Sequence, residues 1–166
     1  MIHHRHSLVR ESIVTGFLGA LVVAVFFFVI DLLHGQPLAT PSVLGQVILF
    51  HVRDPLVNVI DPAAVVGYTV LHFSAFILIG IIATWLVHVA IHNPLVRLAL
   101  LMLVVAFEGF FAGITLMFSE ATRQLFPLWS VLAANLLAAG VMGGYLWRHH
   151  PALKRAIDRL PLGAGE

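Results

Sequence analysis

The sequence predicts an all-α, polytopic membrane protein with four transmembrane helices in an up-down bundle, and three observations carry that expectation. Hydrophobic residues make up 60% of the 166-residue chain and charged residues only 10%. Mean hydropathy is +1.01, far from the balance of a soluble domain. Four apolar segments, about 12–33, 62–91, 94–118 and 127–148, each reach the roughly 20 residues a helix needs to cross a bilayer. The chain reads as one transmembrane domain over 1–166, with a short interfacial or re-entrant helix between the first two spans.

The first span, 12–33, has an apolar stretch longer than a signal-peptide core. It contains Asp31 and lacks a small-residue cleavage pattern before "HGQPLATP", so an uncleaved span is expected. The loop that follows, 34–61, is much longer than the other connections and still largely apolar. Thr40-Pro41 resembles a helix start, and "PSVLGQVILF" at 41–50 is too short to span. Such a segment lies in the interface or re-enters between helices, as a lid on the bundle or a docking surface for another protein. The remaining starts are marked by capping chemistry. Asp61-Pro62 and Asn93-Pro94 place a capping residue before a proline at the first helical position, and Phe126-Pro127 supplies a third such proline.

Orientation follows from Lys and Arg. Arg5, Arg10, Arg97, Arg148, Lys154, Arg155 and Arg159 fall on one side and Arg53 and Arg123 on the other, seven against two. Both termini are therefore expected in the cytoplasm, across a bacterial inner membrane. Trp85, Tyr145 and Trp147 near inner ends, and Trp129 near an outer end, stand where interfacial anchors belong.

Polar residues inside the spans are the candidate site. Glu108 lies ten residues before Phe118, and His72 ten after Pro62, each roughly 15 Å from its outer helix end. Asn135 lies eight after Pro127, roughly 12 Å deep. With Tyr68 one turn from His72, these residues form an expected intramembrane polar cluster: Glu108, His72, Asn135 and Tyr68. An ionised carboxylate at that depth costs at least about 2.5 kcal/mol, so Glu108 is expected to be protonated or paired, with His72 as its partner. The cluster either fixes helix packing through interhelical hydrogen bonds, about 0.6 kcal/mol each, or serves proton transfer, a metal or a pigment. Small residues at four-residue spacing, namely Gly16, Ala20 and Ala24, Gly109 and Gly113, and Gly140 and Gly144, are expected to let backbones approach closely.

Asp31 and His34 form a second expected pair at the outer face, explained by interfacial hydration or contact with the lid loop. No spacing demands a metal there. His72 is the only histidine expected deep in the membrane, which leaves a bis-histidine haem without its second ligand. His88 and His92, "MIHHRH" and "RHH" at 148–150 are expected at the cytoplasmic surface, touching anionic lipid. With no cysteine, thiolate metal sites and disulfides are excluded. No phosphate loop, HExxH or soluble-loop catalytic triad is present, so an enzyme is not expected. The net charge of +1 says little about partners, and no nucleic acid is expected.

The run Gly19 to Asp31-Leu32, then Gly35-Gln36-Pro37-Leu38, Thr40-Pro41, Leu44-Gly45, Gly67-Tyr68-Thr69 and His72-Phe73 resembles small bacterial four-helix integral membrane proteins of no assigned function. That resemblance covers about the first half of the chain. It implies four helices and an inner membrane, and transfers no ligand or catalytic residue. The functional expectation is a non-enzymatic accessory subunit of a larger inner-membrane complex, of the respiratory or photosynthetic electron-transfer kind, partnered by lipids and other integral subunits. No cofactor is demanded, though lipid, quinone and pigment are candidates. The alternatives are a stand-alone channel or proton-coupled transporter using Glu108 and His72, and a pigment or haem binder ligated by His72.

Overall fold

The computed structural model describes residues 3–93, 102, 104–109, 111–113, 116 and 126–150, and all regular structure among them is helical. In chain order come α1 (His3–Leu33), a short α2 (Ala39–Ile48), α3 (Pro62–His92) and α4 (Leu128–His149). Three stretches, Leu8–Leu33, Pro62–Ala90 and Leu128–His149, are long and apolar enough to cross a membrane. The expected span at 94–118 lies largely outside the described residues; within it Val104–Gly113 is a shorter apolar helix. Among the described residues, three helices and not four have the length and apolarity to span.

The helix ends follow local chemistry. Asp61 caps α3 as expected, its Oδ1 accepting from the backbone N–H groups of Ala63 at 2.9 Å and Ala64 at 3.2 Å, with Pro62 in the first turn. Asn93 closes α3, its own N–H reaching the carbonyl of Val89; the start expected after it falls outside the described residues. Pro127 stands one residue before α4 in an extended conformation, where it had been expected at the first helical position. There its carbonyl takes both the N–H and the hydroxyl of Ser130, at 2.9 and 2.8 Å. α1 begins well before residue 12, because an apolar count locates the bilayer-crossing stretch and not the hydrogen-bonded helix, which polar residues can extend. It stops at a glycine: Gly35 adopts φ +73°, and the N–H groups of Gln36 and Gly35 turn back to the carbonyls of Asp31 and Leu32.

α1 is the central helix. It packs along α3 on one side and α4 on the other, while α3 and α4 barely meet. The pairing with α3 is antiparallel and unusually close. A Cβ on Gly16 would collide with the backbone of Phe76 and Ile77, and one on Gly80 would sit 2.5 Å from the nitrogen of Gly16 and from the carbonyl of Ser12. Glycine here lets two backbones touch. Dispersion and weak polar contacts, the forces that hold helices together in lipid, depend on that proximity. Further along, Gly19 meets Phe76 and Met142, joining all three long helices around a core of Ala20, Val23, Phe76, Ala134, Ala138 and Met142. Phe107, from the 104–109 segment, packs against this core. The start of α1 and the end of α4 share one end of the bundle, where Glu11 meets His150.

α2 closes the opposite end. Gly45 lies against the backbone of Ala64 in the first turn of α3, and Leu49 against Gly67. Its polar residues Ser42 and Gln46, one turn apart, are both buried. The Ser42 hydroxyl oxygen accepts from the N–H of Asp61 at 2.9 Å, and the Gln46 side chain accepts from the N–H of Leu56 at 3.0 Å. The loop from 49 to 61 is thereby fastened onto α2, with the Val52 N–H also reaching the Gln46 carbonyl at 3.0 Å.

Candidate functional site

Between the C-terminal half of α1 and the N-terminal half of α3, under the start of α2, lies a pocket of about 270 Å³. Its walls are Val23, Ala24, Val25, Phe27, Phe28, Leu38, Pro41 and Phe73, and its polar members are Asp31, Thr40, Tyr68, Thr69 and His72. Tyr68 and His72 of the expected deep cluster and Asp31 of the expected outer pair thus meet on one cavity, whereas Glu108, Asn135 and His34 are not among its lining residues. Antiparallel pairing is the reason: descending α3 from Pro62 passes Tyr68 and then His72, while ascending α1 from Ala20 reaches Ala24, Phe28 and Asp31.

Each polar group has a defined partner. His72 Nε2 lies 3.1 Å from the carbonyl oxygen of Ala20 on α1. A carbonyl only accepts, so Nε2 carries the proton of that bond. The imidazole stacks over Tyr68, with centroids 5.8 Å apart and planes at 24°, and stands 4.8 Å from the Phe76 ring. Thr69 donates its hydroxyl to Val65 at 2.7 Å. Asp31 is 6% exposed. Its two carboxylate oxygens take the N–H and the hydroxyl of Thr40 at 2.8 and 2.7 Å. This carboxylate therefore anchors the first turn of α2 from another helix, after the chain has turned through Gly35 and Leu38, both at positive φ. His34 remains exposed, and among the described residues it makes no ion pair with Asp31.

Glu108 is placed differently from the expectation of a His72 partner. Both carboxylate oxygens are shielded from solvent, as is Nδ2 of Asn135, and none of them completes a hydrogen bond among the described residues. Asn135 is the polar side chain beside Glu108. The ring beside His72, Phe76, meets Phe107 of the Glu108 segment edge-on at 6.1 Å. Helix rotation decides this: Phe76, one turn beyond His72, faces the core, and His72 faces α1.

A third polar group joins His88 and His150, expected separately near the cytoplasmic surface, to Glu11, and no such group was expected from the sequence. At the far end of the bundle His150 Nε2 lies 2.6 Å from Glu11 Oε1, a charge contact without hydrogen-bond alignment, and both side chains are largely buried. The His88 ring meets His150 edge-on at 4.7 Å and gives its Nδ1 proton to the Thr84 carbonyl at 3.0 Å. Glu11 is the only acidic residue among the first thirty, the one signal in the sequence that could have marked it. Among the described residues no group of three or more His, Asp or Glu has a metal-site arrangement.

No family model matches this chain, and neither the curated proteins nor the solved structures contain a similar one.

Proposed function

We propose that the chain is a non-enzymatic accessory subunit of a larger assembly in a bacterial inner membrane, both termini cytoplasmic, and that α4 presents the face on which a partner helix packs. The observation that carries this reading is a contrast among glycines. Gly16, Gly80 and Gly45 are filled against by neighbouring backbone, whereas Gly140, Gly143 and Gly144 have no atom of a described residue within 4 Å of a built Cβ. Each glycine inside a helix costs about 1 kcal/mol relative to alanine. Lipid tails gain nothing from that cost, while a helix packing closely does. Leu136, Leu137, Val141 and Trp147 on the same helix are exposed and apolar, a surface suited to lipid or to another span. A respiratory or photosynthetic electron-transfer complex is the narrower form of the proposal.

The test is native purification in mild detergent, followed by identification of what co-migrates. The wild-type chain is expected in a larger complex, and the double variant Gly140→Leu, Gly144→Leu is expected as a free, folded chain. A wild-type protein that runs alone and conducts protons in proteoliposomes defeats the proposal. The transporter reading has one observation in its favour, the buried Glu108 carboxylate without a hydrogen bond among the described residues. Pigment or haem ligation by His72 would use Nδ1, because Nε2 carries the proton given to the Ala20 carbonyl.

A further inference from the structure

We propose that the pocket between α1 and α3 binds an apolar aromatic molecule bearing a hydroxyl group, of the phenol or hydroquinone class, in preference to the matching carbonyl compound. This inference does not depend on the chain being an accessory subunit.

The argument is an inventory of donors and acceptors on the pocket wall. Thr40 spends its N–H and its hydroxyl proton on Asp31. Thr69 spends its hydroxyl proton on Val65, and His72 spends its Nε2 proton on Ala20. What remains is acceptor capacity: the free lone pairs of the Asp31 carboxylate, the hydroxyl oxygens of Thr40 and Thr69, and Nδ1 of the uncharged imidazole. Tyr68 retains the one uncommitted donor, its hydroxyl making no hydrogen bond among the described residues. A guest carrying O–H groups satisfies these acceptors. A guest carrying only carbonyls offers more acceptors and finds the Tyr68 hydroxyl alone. Leaving buried polar groups unpaired is what makes such sites discriminate strongly.

Shape and access agree with the chemistry. About 270 Å³ is near the lower end of ligand pockets, enough for a single substituted ring. The rings of Phe27, Phe28, Tyr68, His72 and Phe73 line it, providing faces and edges for an aromatic guest. Val25 and Phe28 at its rim are 51% and 43% exposed on the apolar face of α1, so the opening is lateral and an oily molecule enters from the bilayer.

The experiment titrates the full-length chain in nanodiscs with a methylated hydroquinone kept reduced under anaerobic conditions, and in parallel with the corresponding quinone. Binding is read by calorimetry and by the rise in melting temperature. The reduced form is expected to bind roughly tenfold or more tightly than the oxidised form. Thr69→Val and His72→Phe are each expected to reduce that preference, and Ala24→Leu, which fills the cavity, to abolish binding of both forms. Thr69 is exposed to the pocket side and its replacement is nearly isosteric, so that variant retains its melting temperature even if His72→Phe does not fold. Equal affinity for the two forms, no binding of either, or binding that survives Ala24→Leu overturns the proposal.

Discussion

The α1–α3 side of the molecule and the α4 side use the same residue types to opposite ends. On the first side, glycines meet backbone, and Asp31, His72, Ser42 and Gln46 each reach a partner within the chain. On the second, Gly140, Gly143 and Gly144 meet no described residue, and Glu108 and Asn135 lie side by side with carboxylate and amide nitrogen unbonded among the described residues. A glycine or a buried acid is thus not informative by itself. What matters is whether a neighbour completes it, and among the described residues the first side is complete where the second is not.

The sharpest way to break that comparison is to place the same large residue on both sides. Gly16→Leu forces a side chain into the backbone of Phe76 and should cost about 3 kcal/mol, the upper part of the overpacking range, or prevent folding outright. Gly140→Leu should leave the isolated chain within about 0.5 kcal/mol of wild type. Thermal unfolding in detergent compares them, and equal losses would remove the distinction between filled and open glycines.

Next in size is Asp31→Ala. It strands the N–H and hydroxyl of a buried Thr40 and should destabilise the α2 lid by about 2 kcal/mol. Hydrogen exchange at residues 40–48 should accelerate while exchange in the middle of α3 stays slow; unchanged protection of α2 would mean that the Asp31–Thr40 bonds do not hold it. Glu108→Leu tests the other side. Replacing an acid without a hydrogen bond among the described residues by an apolar residue should stabilise the isolated chain by about 1 kcal/mol, and a loss of 2 kcal/mol or more on unfolding would reveal a partner for it within the chain. The smallest effect is expected at the far end of the bundle. Glu11→Gln keeps the shape of the side chain and removes only the charge contact with His150, so a change below about 1 kcal/mol is predicted, shrinking further at high salt.

Local signals were legible wherever a short stretch of chain carries its own chemistry. Asp61-Pro62 reads as a helix start because the carboxylate and the proline act within three residues of each other. The depth assigned to His72 and Tyr68 put them within one turn of each other, and the structure places both on one pocket. The partner of His72 was not legible. Whether it faces Ala20 or Glu108 depends on the rotation of α3, which the Gly16–Gly80 contact and the Phe76 ring fix from outside the helix. Asp31 illustrates the same limit, since its bonds to Thr40 require the chain to turn back through Gly35 and Leu38. The Glu11, His88 and His150 group was missed altogether, because three residues spread over the chain become neighbours only once α1 runs antiparallel to both α3 and α4.

What the sequence determined by itself is the solvent and the elements: apolar runs of spanning length, helix starts at Asp61 and near Pro127, a short lid helix after Thr40, and polar residues too costly to leave facing lipid. Those are properties of composition and of neighbours a few positions apart, where the energy is local. Tertiary structure alone decided which acid holds the lid, which carbonyl takes the His72 proton, and which glycines touch a neighbouring backbone. Such choices depend on the rotation and register of whole helices, and these are set by close packing summed over many contacts that no single stretch of the chain contains.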